Sequence, residues 1–91
     1  MPAIPAPGEV GRVRFQLFAA AREAAGRSEV TRPAGPTHEV LAGLVADLPP
    51  RFGDVLAISS LLLDGQRLDP ASDRVLTGDA VIDVLPPFAG G

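Results

Sequence analysis

The chain has 91 residues, of which 46% are hydrophobic and 21% charged, so it has room for one domain with a single modest core. Its formal net charge is -3, its arginines are scattered and it has no lysine, whereas a nucleic-acid binder needs a basic surface to neutralise phosphates. Cysteine is absent, which excludes disulfides, thiolate metal sites and a cysteine nucleophile within this chain. We therefore expect a carrier, adaptor or subunit, without nucleic acid as a partner, rather than a free-standing enzyme.

Membrane and secretion signals are not evident. The most apolar stretches, such as residues 61–63, are far too short to span a bilayer. Residues 1–11 are rich in Pro, Ala and Gly and lack a basic region followed by an apolar run, so we interpret them as a flexible extension rather than a signal peptide. The expected location is the cytoplasm, with no membrane partner.

A strand and a short helix are the first predicted elements. Apolar and polar residues alternate from 12 to 18, which predicts a strand with one face on a core. Residues 19–25 are strong helix formers, and Gly26 suits the position just after a helix end. A helix of about two turns needs tertiary support, so we expect it to pack on the domain.

The main helix is predicted in the middle of the chain, after a short strand over 28–31 that Pro33 ends. Thr37 is predicted to cap this helix. Its apolar stripe at helical spacing comprises Val40, Leu41, Leu44, Val45 and Leu48. The two prolines at 49–50 end the helix, and residues 51–57 are interpreted as an irregular connection.

Two or three strands complete the prediction. A strand over 60–63 leads through Asp64-Gly65, a strong tight-turn signal, into a short strand over 66–68. Another turn at Gly78-Asp79 precedes a strand over 80–85 that is apolar on both sides except for Asp83. Such a pattern is typical of a central strand.

This order of elements predicts an α+β fold, with one main helix across a mixed sheet of four or five short strands and a short helix after the first strand. The best fit is a β-grasp, or ubiquitin-like, arrangement. We expect the domain to occupy residues 12–85, between the extension at 1–11 and an extended tail at 86–91.

The candidate functional segment is the tail, which reads Pro86, Pro87, Phe88, Ala89, Gly90 and Gly91. The prolines hold its start extended, and the aromatic ring suits a pocket on a partner. The glycines lack a Cβ, so the backbone can enter a narrow channel and deliver the carboxylate of Gly91 to another protein's active site. A carboxylate is a poor electrophile; ATP-dependent formation of an acyl-adenylate would activate it, and sulfide attack would then give a thiocarboxylate.

Three segments carry a resemblance to a known family. Residues 13–26, the Thr77-Gly78-Asp79-Ala80-Val81 turn and the 86–91 tail resemble the MoaD/ThiS β-grasp sulfur carriers, and specifically the small subunit of molybdopterin synthase (MoaD-like). The resemblance covers nearly all of residues 12–91. The aromatic residue at Phe88, where a smaller β-branched residue is common, and the longer N-terminal extension depart from the family pattern.

The resemblance implies a sulfur carrier rather than an enzyme by itself. An E1-like enzyme would adenylate Gly91, a sulfur donor protein would then convert it to the thiocarboxylate, and the tail would enter the large subunit of molybdopterin synthase. There the sulfur would convert cyclic pyranopterin monophosphate to molybdopterin, for molybdenum cofactor biosynthesis, with the catalytic side chains on the large subunit. No bound cofactor is implied.

Alternative functions share much of this pattern. A carrier for cysteine or thiamine (thiazole) synthesis keeps the sulfur chemistry, although the helix after the first strand argues against thiazole-type carriers. A ubiquitin-like protein modifier uses the same adenylation and tail, and the absence of lysine means that it would not form self-linked chains through its side chains. A non-covalent β-grasp binding module would not need Gly90-Gly91.

Other polar residues are interpreted as structural. His38 lacks co-ligands and is expected on the surface. Arg22 and Glu23 are interpreted as a solvated helix face, with contact to the activating enzyme as the alternative. We expect turn formers, rather than a metal site, at Asp64, Asp69, Asp73, Asp79 and Asp83.

Overall fold

The computed structural model describes residues 11–87. The chain forms seven strands and three helices in this range. In chain order they are β1 (Arg12–Leu17), α1 (Ala19–Ala25), β2 (Glu29–Pro33), β3 (Gly35–Pro36), α2 (Thr37–Asp47), α3 (Pro50–Ala57), β4 (Ser60–Leu63), β5 (Gln66–Leu68), β6 (Val75–Leu76) and β7 (Val81–Leu85). The extension and most of the tail lie outside the described residues, so the domain limits stay predictions.

Five of the strands form one mixed sheet in the order β2-β1-β7-β4-β5. The first and last strands in sequence, β1 and β7, are parallel neighbours with Leu17 beside Val84, and the other pairs in this sheet are antiparallel. The last strand is therefore central, as its two-sided apolar pattern predicts, and the predicted α+β architecture is confirmed. A separate two-stranded sheet pairs β3 with β6.

The core lies between one face of the five-stranded sheet and the helices. Phe15, Ile82 and Val84 from the sheet and Leu44 and Phe52 from the helices have no exposed surface. The short α1 ends as predicted, because Gly26 has a φ of 77° and its N–H donates to the carbonyl of Arg22. Its buried alanines allow α1 to pack closely on the other elements.

The interpretation of residues 51–57 as an irregular connection is wrong, because they belong to α3. Pro50 occupies the first turn of this helix, where its missing N–H has no helical partner to lose, so the Pro-Pro pair ends one helix and begins the next. Phe52 and Val55 are buried at a spacing of three residues and hold this two-turn helix on the core.

The predicted capping role of Thr37 is also wrong. Thr37 is the first residue of α2, Pro36 precedes it, and no side chain caps the helix. The Thr37 hydroxyl instead donates to the carbonyl of Arg74 at 2.7 Å, and its backbone N–H donates to the same oxygen at 2.9 Å. Thr37 thus joins the start of α2 to the segment before β6, a long-range contact that sequence spacing does not reveal.

Candidate functional site at the root of the tail

The tail begins at the end of the central strand. Leu85, the last residue of β7, pairs with Ser60 of β4, and Pro86 after it is buried whereas Pro87 is exposed. Proline has no N–H to continue the ladder, so the strand ends where the tail starts. The other tail residues of the predicted site, Phe88, Ala89, Gly90 and Gly91, lie outside the described residues.

Exposed apolar side chains flank this root. Phe18 follows the parallel neighbour β1 and is 42% exposed, and Ile58 shortly before β4 is 66% exposed. Two hollows open at the same end of the sheet. One of about 500 Å³ is lined by Ser59, Ser60, Leu61, Arg67, Leu68, Asp69 and Pro70. The other, of about 280 Å³, is lined by Gln16, Leu17, Phe18, Arg22, Ser28 and Glu29.

The sheet face opposite the core continues from this root, and we call it the open face. Strand alternation places on it Arg12, Arg14, Gln16, Glu29, Thr31, Pro33, Ser60, Leu62, Arg67, Val81, Asp83 and Leu85. Its central members Leu62, Val81 and Leu85 are half-buried apolar side chains. An apolar strip of this kind that leads to the tail is suited to contact with another protein.

Charges are sparse along the middle of the open face. At its β2 edge, Arg14 Nη1 lies 3.9 Å from Glu29 Oε1, and both side chains are about half exposed, so solvent screens this pair strongly. Asp83 stands on the central strand, between Gln16 and Leu62 in the ladder. Its Oδ1 atom is covered and has no hydrogen-bond partner within residues 11–87.

Two aspartates shape the turns that position the central strand. Asp64 and Gly65 both have positive φ, 47° and 87°, which suits the tight hairpin predicted from this pair. Asp64 also exchanges hydrogen bonds with Val81: its N–H donates to the Val81 carbonyl, and its Oδ1 accepts from the Val81 N–H at 3.1 Å. The β4–β5 hairpin is thereby joined to the start of β7. Asp79, with a φ of 69°, forms the turn before that strand.

The remaining candidate residues are placed as surface or turn residues. His38, Arg22 and Glu23 are exposed. Asp69 accepts a hydrogen bond from the Ala71 N–H at 2.9 Å, as expected of a turn former. Asp83, by contrast, lies within β7, so its interpretation as a turn former is wrong. Within residues 11–87, no three histidine or acidic side chains are grouped to hold a metal ion, and no helix is long and apolar enough to cross a membrane.

No family model matches the chain, and no curated protein matches it either. Several solved structures, however, are similar to it. Small archaeal modifier protein 1 from Haloferax volcanii matches with a TM-score of 0.76 at 21% identity, over 89% of this chain and all of that one. Small archaeal modifier protein 1 from Methanosarcina acetivorans matches with a TM-score of 0.70 at 26% identity, over 92% of this chain and all of that one.

A third match is a complex of subunits 1 and 2 of the molybdopterin-converting factor from Helicobacter pylori, with a TM-score of 0.64 at 19% identity, over 88% of this chain and 99% of the matched one. The chain has the β-grasp fold. The predicted fold is thus confirmed, and these neighbours are consistent with the resemblance to MoaD/ThiS-like proteins. In this β-grasp domain, the buried Pro86 and the covered oxygen of Asp83 are features that sequence reasoning missed. For Asp83, the signal in the sequence is that it is the one acidic residue of the otherwise apolar strand β7.

Proposed function

We propose that this β-grasp domain is the sulfur carrier subunit of molybdopterin synthase. In this proposal the carboxylate of Gly91 reacts with ATP to give an acyl-adenylate and pyrophosphate, and sulfide then displaces AMP to leave a thiocarboxylate. The tail carries this sulfur into the large subunit, which supplies the catalytic side chains for its transfer to cyclic pyranopterin monophosphate. The chain itself is a small, non-catalytic partner subunit.

The observation that carries the proposal is the position of the tail sequence. The segment that ends in Gly-Gly follows directly on the central strand of a sheet whose inner face is buried. In this proposal the domain presents that segment to its partners. The complex of subunits 1 and 2 from Helicobacter pylori supports a larger subunit as the partner. An E1-like enzyme and a sulfur donor protein are the further partners that this chemistry requires.

Intact-protein mass spectrometry tests the proposal most directly. After incubation with ATP, an E1-like adenylating enzyme and a sulfur donor, we expect a mass gain equal to the replacement of one oxygen by sulfur, mapped to Gly91. A variant without Gly91 should gain nothing and should not support molybdopterin formation with the large subunit. Arg51→Ala, on the exposed side of α3, serves as a control that should behave as wild type.

A ubiquitin-like modifier is the second candidate, because two of the structural neighbours are named small archaeal modifier proteins. The same reaction mixture, supplemented with a cell extract, separates the two functions. Covalent attachment of Gly91 to lysines of other proteins, without transfer of sulfur to the pterin, would favour the modifier. Failure of all covalent chemistry, with tight binding to a partner retained after removal of Gly90-Gly91, would favour a non-covalent module.

A further inference from the structure

The open face contains one carboxylate whose surroundings do not satisfy it. Asp83 is half-buried on the central strand, and Val81 and Leu85 precede and follow it on the same face. Its ladder neighbours are Gln16 on β1 and Leu62 on β4. The Oδ1 atom is covered by these surroundings, and no group of residues 11–87 donates a hydrogen bond to it.

The position of Asp83 costs free energy in the unbound domain. A covered carboxylate oxygen has given up hydration, and without a donor it gains nothing in return. Central strand positions that are apolar on both sides are ordinarily filled by β-branched residues, which this strand uses at Val81, Ile82 and Val84. An aspartate at this position is therefore suited to a contact with a group from another protein.

The arginines of the open face do not form an ion pair with Asp83. Arg14 lies beside Glu29, and Arg12 stands two residues further along β1 from Gln16, the neighbour of Asp83. Arg67 stands on the far side of Leu62, one strand further from Asp83. The ion pairs formed within residues 11–87 are Arg14–Glu29 and Arg32–Asp47, and neither includes Asp83. The middle of an apolar strip thus carries a negative charge without a counter-charge in the described part of the chain.

We propose that Asp83 receives a cationic side chain, an arginine or a lysine, from the large subunit that takes the tail. This inference rests on the function proposed above. Asp83 precedes Leu85 by two residues, a distance of about 7 Å along the strand, so a partner that holds the tail lies over this carboxylate. A guanidinium or ammonium group would approach this half-buried carboxylate from the open face and pair with it through the oxygen that the chain leaves uncovered. The stem of the side chain would pack on Leu62, Val81 and Leu85.

Binding to the large subunit of molybdopterin synthase from the same genome, measured by titration calorimetry, tests this contact. Asp83→Asn removes the charge at constant shape, and Asp83→Val replaces the carboxylate by a residue suited to the strand. We expect both to weaken binding by about tenfold or more. Asp54→Asn, the same substitution at an exposed carboxylate on α3, away from the open face, should change the affinity by less than about twofold. The affinity of wild type should also fall with added salt more steeply than that of Asp83→Asn.

Urea unfolding of the free variants gives a second readout that a structural role would move in the opposite direction. We expect Asp83→Val to be at least as stable as wild type, because it removes an unsatisfied buried oxygen. If wild type binds the large subunit and Asp83→Asn binds it equally well, the inference is overturned and the proposed function stands. A less stable Asp83→Val would assign Asp83 to the fold and would also overturn it. If wild type neither binds nor acquires sulfur, the proposed function itself fails, and the inference with it.

Discussion

The two faces of the five-stranded sheet differ most clearly at two consecutive residues of its central strand. Ile82 points into the core and has no exposed surface, whereas Asp83 points to the open face and is left with a covered oxygen that has no donor. The apolar side chains of the inner face are buried by helices of the same chain, so this face needs no partner. The open face is half-buried only along its middle, where Asp83 has no ion-pair partner within residues 11–87. Inner residues should therefore determine stability, and open-face residues should determine binding.

The largest expected effect is on the inner face. Ile82→Ala removes a fully buried side chain next to Phe15 in the ladder and should lower the free energy of unfolding by about 2–5 kcal/mol. Leu62→Ala removes the same number of carbon atoms from the half-buried open face and should cost about 1 kcal/mol. Urea denaturation measures both. Equal losses in the two variants would contradict the division between the faces.

An intermediate effect is expected at Thr37, where a buried hydroxyl is satisfied by a distant carbonyl. Thr37→Val keeps the shape but leaves the Arg74 carbonyl with one donor fewer, and should lower stability by about 1–2 kcal/mol. Thr31→Val, at an exposed position of β2 on the open face, provides the matched control and should have almost no effect. A Thr37→Val variant as stable as this control would show that the contact contributes nothing.

The smallest effect is expected for the exposed ion pair of the open face. Arg14→Gln should change the free energy of unfolding by less than about 0.5 kcal/mol, because both partners are about half exposed and 3.9 Å apart. Thermal unfolding at low and at high salt measures the change. A loss well above this value, present only at low salt, would mean that the edge of the open face contributes to stability after all.

The parts of the fold that sequence predicts are those in which local chemistry decides. The alternation of β1, the Ala19–Ala25 helix with Gly26 behind it, and the Asp64-Gly65 hairpin each follow from residues that are adjacent in the chain. Helix α3 is not predicted, because a proline pair favours the end of a helix as well as its start. The spacing of Phe52 and Val55 is the signal in the sequence for its buried face. The two-residue strands β3 and β6 are too short to show any periodicity.

The candidate site divides in the same way. The tail is recognisable from its own residues, and the prediction that the strand before it is central is confirmed. The covered oxygen of Asp83 and the contact of Thr37 with Arg74 depend on residues from other strands and loops, which sequence spacing alone does not bring together. The roles of Phe88, Ala89, Gly90 and Gly91 stay predictions, because these residues lie outside the described range. Mass spectrometry of the sulfurated chain tests the role of Gly91.

The parallel pairing of β1 with β7 has a consequence for biosynthesis. Strand β1 obtains its inner neighbour only when β7 has been made, because Leu17 lies beside Val84 and none of the other strands within residues 11–87 fills that place. Contacts between positions so far apart in sequence close late, since the intervening chain must be ordered first. In a nascent chain that still lacks β7, β1 and β4 have no strand between them, and the core residues that β7 contributes are absent. The strand that completes the domain is also the one that leads into the tail, so folding and presentation of the tail are finished together.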